Sequence, residues 1–328
     1  MDEIGIPVVV MGLGDIGRAI VRATLARPHL ALAAAVDPAF AGRSLAELVG
    51  GTCPELTVAA GAGEALAAAR GGVVFQATGS RFEDVLPQLE EAVRAGLSVV
   101  STCEELAYPR LRHEEQANAL DALCAQRGVA VVGTGVNPGF VLDRLPAFAA
   151  QVVGPVRHVR ALRVVDAALR RLRLQQKIGA GLTEEAFDEA YDRGEVGHVG
   201  LAESAALAAE GCGFDVDEAE IDEEIAPLLA EEDWDGPVKV RRGQVAGLHQ
   251  AARVFLGDRE VVRLELTMSL GAENPRDEVE LDADPPLRLL VPGGVAGDEA
   301  TAQTVANAAA AVVERQGLLT VLDLPAGR

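Results

Sequence analysis

The chain is poor in aromatic residues, cysteine and long apolar runs. Phe, Tyr and Trp make up 3% of its 328 residues, so its cores must be built mainly from Ala, Val and Leu. Its four cysteines are scattered and form no Cys-x-x-Cys pair, which gives no sign of a zinc site or a disulfide framework and favours a reducing cytoplasm. The sequence also lacks an 18-residue apolar run and a basic amino-terminal region followed by a cleavage site. We therefore expect neither a membrane span nor export.

Basic residues are outnumbered by acidic ones, and the formal net charge is −21. Much of the excess lies in residues 184–195 and 215–235. Such a surface repels a phosphate backbone, so we expect no nucleic-acid partner and interpret the acid excess as a contribution to solubility. With 328 residues, of which 49% are hydrophobic, the chain exceeds the usual size of one compact core, and two domains are expected.

The start of the chain has the pattern of a dinucleotide site. Residues 6–11 form an apolar run typical of a strand buried on both faces, a glycine turn follows at once, and residues 19–25 have helical spacing. In this order the glycines allow a tight turn, close approach of the pyrophosphate and close helix packing. The free N–H groups of the helix N-terminus face the phosphates. A glycine turn used only for packing is the alternative. The predicted cofactor-binding residues of the turn are Gly12, Leu13, Gly14, Asp15, Ile16 and Gly17.

The second strand, residues 30–36, ends in Asp37. An acidic residue twenty positions after the last glycine of the turn binds the adenosine ribose hydroxyls and disfavours a 2′-phosphate. Arg43 lies close behind it and is a candidate to accept a 2′-phosphate. The sequence therefore predicts NAD or NADP as the cofactor, with NAD preferred.

Strand-like and helical segments alternate through the rest of the first part of the chain. The strand-like runs are 73–77, 97–100 and 129–132, and the helical stretches are 64–70, 82–95 and 114–127. This alternation predicts an α/β fold with a doubly wound parallel (Rossmann) sheet.

After Asn137 the alternation stops, and the pattern changes to that of a second, α+β domain carrying a mixed sheet. Its strand-like runs are 156–165, 238–240, 244–254 and 260–270, its helices fall within 183–209, and residues 174–182 are expected to form a loop. We expect a dinucleotide-binding domain over 1–138 and a substrate-binding and dimerisation domain over 139–300. A C-terminal helix within 301–328 is expected to return to the nucleotide domain.

Small polar residues follow three strands of the predicted parallel sheet. Thr78-Gly79-Ser80 follows the third strand, Thr102 and Glu104 follow the fourth, and Asn137 follows the fifth. Ligands lie at the carboxyl ends of the strands in open parallel sheets. We therefore predict that Thr78, Gly79, Ser80 and Thr102 contact the cofactor, although a plain turn at 78–80 is the alternative.

Several longer motifs resemble those of one known family. They are Ser101-Thr-Cys-Glu-Glu-Leu106, Gly133-Thr-Gly-Val-Asn-Pro-Gly-Phe140, Lys177-Ile-Gly-Ala-Gly181, Gly197-His-Val-Gly-Leu201 and Leu319-Thr-Val-Leu-Asp-Leu-Pro325. With them the chain resembles, nearly end to end, the dihydrodipicolinate-reductase-related group that contains 2,4-diaminopentanoate dehydrogenase and the native amine dehydrogenases. It differs from the dihydrodipicolinate reductases proper because its five histidines are isolated and none forms their paired-histidine segment.

The resemblance implies an NAD(P)-dependent amine dehydrogenase that acts as a homodimer. Its reaction would be the oxidative deamination of a small primary amine or diamino acid, and the reverse reductive amination of a ketone with ammonia. The family's catalytic glutamate corresponds to Glu104. A carboxylate suits this chemistry because it stabilises positive charge on nitrogen and also takes up a proton. For the pair Glu104 and Glu105, the alternative is an acidic first turn of a helix that begins near Tyr108.

Five further residues are candidates for the substrate pocket, each with a structural alternative. Asn137 either binds the amine or carbonyl or caps a helix, and Phe140 either lines the pocket or belongs to the core. Arg163 either clamps a substrate carboxylate or is a charge on the sheet surface. Lys177 either orients the substrate or is structural, and His198 is either a pocket donor or a loop residue. No metal site is predicted.

Two other functions fit parts of the pattern. The first is an imine or carbonyl reductase like dihydrodipicolinate reductase, and the second is a non-catalytic NAD(P)-binding sensor.

Overall fold

The structure is a computed structural model, and it describes residues 5–327 as two compact units. Residues 5–140 and 296–327 form the first unit, and Val141–Val295 form the second. The elements up to residue 140 are β1 (Ile6–Met11), α1 (Asp15–Leu25), β2 (Leu30–Val36), α2 (Leu45–Val49), α3 (Gly63–Ala68), β3 (Val73–Gln76), α4 (Phe82–Arg94), β4 (Ser98–Ser101), α5 (Glu114–Arg127) and β5 (Ala130–Gly133). Those of the second unit are α6 (Arg144–Ala149), β6 (His158–Asp166), α7 (Leu172–Lys177), α8 (Glu184–Asp192), α9 (Leu201–Gly211), β7 (Glu220–Leu229), β8 (Trp234–Asp235), β9 (Lys239–Val240), β10 (Val245–Leu256), β11 (Arg259–Ser269), β12 (Arg276–Asp282) and β13 (Leu287–Pro292). The last two elements are α10 (Gly297–Val313) and β14 (Gly317–Leu319).

The first unit contains a six-stranded sheet in the order β14-β5-β4-β3-β1-β2, and every pairing in it is parallel. Its inner strands are apolar throughout because both faces of the sheet are covered. On β1, Val8 and Val10 belong to one apolar cluster, Val9 belongs to the cluster on the opposite face, and all three are fully buried. This arrangement confirms the predicted doubly wound parallel sheet.

Helix α10 packs in the first unit on the face that Val8 shares. Its buried residues include Ala302, Val305 and Ala309, whose small side chains let it approach α1 closely. The Arg27 guanidinium, just beyond α1, donates to Asn307 Oδ1 at 2.6 Å. After α10 the chain continues into β14, which pairs with β5 at the edge of the sheet. The C-terminal part of the chain thus belongs to the first unit.

The second unit contains a six-stranded sheet in the order β13-β12-β6-β11-β10-β7. The β6–β11 pairing is parallel and the other four are antiparallel, which confirms the predicted mixed sheet. Along β11, Leu264, Leu266 and Met268 are buried on one face, whereas Arg263 and Glu265 lie on the other. Between residues 5 and 327, no helix is both long enough and apolar enough to cross a membrane.

Two local predictions are wrong. The segment expected to be a loop from residue 174 begins inside α7, which runs to Lys177 before Gly179 takes a φ of +77°. The helix expected near Tyr108 is replaced by two short 3₁₀ turns, and α5 begins only at Glu114. Pro109 explains the second error because a proline disfavours the helical conformation in the residue before it.

A buried ion pair joins β6 to β12 on the apolar face of the second sheet. The side chains of Arg163 and Asp277 are only 6% and 1% exposed. The Arg163 Nη1 donates to both carboxylate oxygens of Asp277, at 2.9 and 2.8 Å. Its Nη2 donates to the Val295 carbonyl at 2.6 Å, and the Val295 N–H donates to Asp277 at 2.6 Å. The pair therefore fastens the last residue of the second unit to its sheet.

We predict that Arg163→Met destabilises the second unit by about 3–5 kcal/mol, because the Asp277 carboxylate stays buried without its cation. Arg157→Met is the matched control, at the residue that directly precedes the same strand. Arg157 is 55% exposed in its ion pair with Asp282, so its loss should destabilise the second unit far less. Urea unfolding, followed by the fluorescence of the single tryptophan Trp234, measures the free energy of unfolding of both variants. Equal losses in the two variants would contradict the prediction.

Candidate active site

The turn between β1 and α1 has the geometry that a dinucleotide needs. Gly12 has a φ of +88°, and a Cβ on it would lie 2.5 Å from the Ala77 carbonyl oxygen. A Cβ on Gly17 would lie 1.8 Å from the Gly12 carbonyl oxygen, so only glycine fits at either position. A Cβ on Gly14 would meet nothing within 4 Å. The open space at Gly14 lies at the N-terminus of α1, where free N–H groups favour a phosphate.

Asp37 is ordered beside this turn. Its carboxylate accepts the Leu13 N–H at 2.7 Å and the Ala39 N–H at 2.9 Å. An ordered carboxylate at the end of β2, next to the glycine turn, suits the hydroxyls of an adenosine ribose. Beyond it, the guanidinium groups of Arg18 and Arg43 lie 5.9 and 6.0 Å from the centre of the Phe40 ring. The residues present therefore fit a bound NAD. The two arginines also place positive charge near the end of β2, where Asp37 lies.

A buried polar network joins the ends of β3 and β4. Gln76 and Ser101 face each other across the two strands and are at most 1% exposed. The Ser101 hydroxyl donates to Gln76 Oε1, and the Gln76 side-chain amide donates to the Thr78 hydroxyl at 2.5 Å. The Thr102 N–H donates to the Gln76 carbonyl at 2.9 Å. Thr78 and Thr102 are therefore held by the same buried glutamine.

The two adjacent glutamates after β4 have different surroundings. Glu105 is 6% exposed, and its carboxylate accepts the Phe82 N–H, the first of α4, at 2.7 Å. It also lies 3.3 Å from Arg81 Nη1 and 3.5 Å from His113 Nε2. Glu104 is half-buried. No α-helix begins near Tyr108, and the Glu105 carboxylate is hydrogen-bonded to the N-terminus of α4, so the alternative of an acidic first turn of a helix at Tyr108 is wrong for Glu105.

Asn137 lies in a tight loop after β5. Its peptide bond to Pro138 is cis, and Gly139 has a φ of +124°. The next helix, α6, begins seven residues later and is capped by the Asp143 carboxylate, so Asn137 is not the cap of that helix. Asn137 and Phe140 are both half-buried.

The first unit brings most of its predicted site residues to one edge of the sheet. Because its strands are parallel, the glycine turn, Asp37, Thr78, Thr102, Glu104 and Asn137 all follow the carboxyl ends of strands at that edge. The chain leaves β1 towards β2 on one side and later returns to β3 on the other side. Such a reversal of strand order is where open α/β sheets bind ligands.

In the second unit, Lys177 and His198 are neighbours. The Gly197 N–H donates to the Lys177 carbonyl at 3.1 Å. The Gln250 side chain holds the main chain of His198, donating to its carbonyl at 2.9 Å and accepting its N–H at 3.0 Å. Lys177 also lines an open cavity of about 730 Å³ with Arg173 and other side chains of α7 and α8. Arg163 is buried, so the alternative of a surface charge is wrong, and its guanidinium is engaged by Asp277 and Val295.

Sequence reasoning missed Gln76, Ser101 and Gln250, and it gave Glu105 no separate role. A sequence signal existed for Gln76 and Ser101, because each ends a short apolar strand and a polar residue buried there needs a partner. Gln250 carried no such signal, since its contact with His198 spans 52 positions. Within residues 5–327, no group of His, Cys, Asp and Glu side chains is arranged to hold a metal ion.

Comparisons with known proteins point to one group. Residues 140–328 match the family model of the 2,4-diaminopentanoate dehydrogenase C-terminal domain. The chain is 27% identical over 267 residues to 2,4-diaminopentanoate dehydrogenase of Acetoanaerobium sticklandii, which covers 78% of this chain and 74% of that protein. It is 33% identical over 171 residues to an amine dehydrogenase of Streptomyces virginiae, covering 49% and 46% of the two chains.

A solved structure shares the fold over the whole length. The amine dehydrogenase of Mycobacterium smegmatis superposes with a TM-score of 0.86 at 22% identity, covering 100% of this chain and 98% of that one. The family model and the two relatives confirm the resemblance expected from the sequence motifs, and this structure confirms the fold class.

We predict that Cys103, beside Glu104, is chemically inert in the folded protein. Burial raises the pKa of its thiol to about 12, and the thiol donates to the Ser80 carbonyl at 3.2 Å. At pH 8 its thiolate fraction is then roughly 10⁻⁴, against about one quarter for an unperturbed thiol. Alkylation by iodoacetamide, read by peptide mass spectrometry, should be at least about a thousandfold slower than in guanidinium. The half-buried Cys53 is the internal control, and equal labelling of the two would contradict the prediction.

Proposed function

The chain belongs to the 2,4-diaminopentanoate dehydrogenase C-terminal domain family, and from this membership we propose that Glu104 is the acid/base of an NAD(P)-dependent amine dehydrogenase. The reaction is the oxidative deamination of a small primary amine or diamino acid, and in reverse the reductive amination of a ketone with ammonia. One observation carries the choice of Glu104 over Glu105: the Glu105 carboxylate is buried and accepts the first N–H of α4, so it belongs to the structure of that helix. Glu104 is half-buried at the carboxyl edge of the sheet, where open α/β sheets bind ligands.

NAD(P), when bound over the glycine turn, would supply the acceptor for the hydride that leaves the carbon bearing the amine. Glu104 first accepts a proton from the substrate ammonium, because only the neutral amine has the lone pair that drives hydride departure. The half-buried carboxyl passes this proton to solvent, and the restored negative charge then stabilises the positive iminium. It next acts as general base for the water that adds to the iminium carbon, and collapse of this adduct gives the ketone and ammonia.

We propose that the first unit holds the cofactor. The N–H groups at the N-terminus of α1 would bind the pyrophosphate over Gly14, and Asp37 would bind the adenosine ribose. Thr78, Gly79, Ser80 and Thr102 would line the nicotinamide side. We propose dinucleotide binding for the first unit, and substrate binding and dimerisation for the second. The boundaries expected from the sequence, 1–138, 139–300 and 301–328, differ from those of the two units by at most five residues.

Substrate recognition is assigned to Asn137, Phe140, Lys177 and His198. Arg163 is better explained as structural, because Asp277 already supplies the carboxylate that a substrate would offer. We therefore propose that the substrate needs no carboxylate bound by Arg163. This favours a small amine and its ketone over an amino acid recognised at that position.

The quaternary structure and location are proposals as well. The polar face of the second sheet carries both signs of charge in alternation, for example Arg160 between Glu265 and Glu280, and Arg253 beside Glu224. Such a face is complementary to a second copy of itself, which supports a homodimer. Sedimentation equilibrium measures the mass of the assembly.

All four cysteines are free, which supports a cytoplasmic location.

We predict that Glu104→Gln abolishes amine oxidation while leaving NADH binding within about threefold of the parent. The amide keeps the shape of the side chain but can neither accept the ammonium proton nor carry the negative charge that stabilises the iminium. Turnover is followed by NADH absorbance with short amines, including 2,4-diaminopentanoate, and binding by NADH fluorescence.

The matched control for this variant is Glu91→Gln, which removes an exposed carboxylate from α4. It should turn over like the parent. Turnover of Glu104→Gln within several-fold of the parent would remove Glu104 from the mechanism. Ketone-driven NADH oxidation that needs no ammonia would instead indicate a carbonyl reductase.

A second prediction concerns the choice of cofactor. Asp37→Ser should raise the ratio of kcat/KM for NADP to that for NAD by about tenfold or more, because a carboxylate no longer faces the 2′-phosphate. If Arg43 receives that phosphate, the double variant Asp37→Ser/Arg43→Ala should lose most of the increase. An equal increase in both variants would exclude Arg43.

A further inference from the structure

The turn that carries Glu104 is held in place by its neighbour. We propose that Glu105 is a positioning residue, which fixes the backbone of residues 102–105 against the loop after β3 and thereby sets where the Glu104 carboxylate lies. This inference rests on the proposed function of Glu104 as the acid/base.

The first observation is the burial of Glu105. At 6% exposure its carboxylate has left water, which is costly unless hydrogen-bond donors replace the water. The principal donor is the Phe82 N–H at 2.7 Å. The first N–H groups of a helix lack partners within the helix, and the residue before α4, Arg81, provides no side-chain cap. Glu105, 23 residues further along the chain, therefore caps α4 and also places its negative charge at the positive end of that helix.

The second observation is a further pair of hydrogen bonds between the turn that carries Glu104 and the loop after β3. The Glu105 N–H donates to the Ser80 carbonyl at 3.2 Å, and the Cys103 thiol donates to the same oxygen at 3.2 Å. The proposed nicotinamide loop and the turn bearing Glu104 are thus joined at three points, of which two belong to Glu105. A shift of Glu105 would change the distance between the acid/base and the cofactor loop.

The third observation is the close packing on the opposite side of the turn. A Cβ on Gly133, the last residue of β5, would lie 2.6 Å from the main-chain atoms of Leu106 and Ala107. Residues 106 and 107 therefore press directly on the backbone of β5. With the Ser80 loop on one side and β5 on the other, the anchor at Glu105 leaves the turn little freedom to move.

We expect the hydrogen bond from the Phe82 N–H to hold the turn more than the ion pairs of Glu105 do. Arg81 is 53% exposed in its ion pair with Glu105, so that pair contributes little. His113 lies 3.5 Å away and also faces Glu83, at 3.7 Å. A glutamine at position 105 keeps an oxygen that can accept the Phe82 N–H. An alanine leaves that N–H without its acceptor and leaves an empty space where the Glu105 side chain was.

The test compares Glu105→Ala with Glu105→Gln. We expect kcat to fall at least tenfold in Glu105→Ala, with a smaller change in the Kd of NADH, and to stay within about threefold of the parent in Glu105→Gln. Amide hydrogen exchange should become faster in peptides covering 80–86 and 101–107 of Glu105→Ala, and it should stay slow in Glu105→Gln. Glu91→Ala, which removes an exposed glutamate of α4, is the matched control and should match the parent in both measurements.

Each outcome decides between a positioning role and its alternatives. Equal loss of kcat in both variants would overturn the proposal, because the charge of Glu105 would then take part directly. Unchanged kcat and exchange in Glu105→Ala would also overturn it. If Glu105→Ala does not fold, Glu105→Asp replaces it, since the shorter side chain withdraws the carboxylate from Phe82. Activity retained in Glu104→Gln would remove the proposed function, whereas the exchange data would still report whether Glu105 holds the turn.

Discussion

A carboxylate that leaves water needs hydrogen-bond donors, and the site at the carboxyl edge of the first sheet depends on how Glu105 meets that need. Its donor is the first N–H of α4, a group that also lacks a partner of its own. One contact therefore satisfies a buried charge and a helix terminus together. Because that helix begins directly after the Thr78–Ser80 loop, the same contact joins two strand ends that the sheet alone would leave as independent loops.

Two adjacent residues of the same type thereby receive different tasks. Side-chain chemistry does not separate Glu104 from Glu105, and neither does position along the strand. Their surroundings separate them: one carboxylate is buried and hydrogen-bonded to a helix, and the other is half-buried at the strand end. In the second unit, Arg163 shows the same principle, since a buried guanidinium that already has Asp277 and Val295 as partners has little left to offer a substrate.

What could be predicted from the sequence was local or periodic. The apolar run at 6–11, the glycine turn and the acidic residue after the second strand lie within 37 residues, and the parallel sheet follows from alternating patterns. The short helix at 172–177 could not be predicted, because its six residues make fewer than two helical turns and the periodic apolar pattern does not repeat. The partners of Arg163 and Glu105 could not be predicted either, since they lie 114 and 23 positions away and depend on strand register. Strand β7 lies within an acidic segment that gives no apolar period, although its Ile221 and Ile225 point to the same face.

The buried polar residues at this edge are best understood as a means of fixing geometry. An apolar pair in place of Gln76 and Ser101 would fill the same space between β3 and β4 without the need to match every donor with an acceptor. The glutamine side chain instead accepts the Ser101 hydroxyl and donates to the Thr78 hydroxyl, which fixes Thr78 at the end of β3. Electrostatic stabilisation of a transition state is most effective when the stabilising group needs no rearrangement during the reaction. A hydride transfer that is sensitive to the separation of donor, acceptor and carboxylate gains from a backbone that is rigid before the substrate arrives. The network of Gln76 and the anchor at Glu105 meet this requirement from the two sides of the same turn.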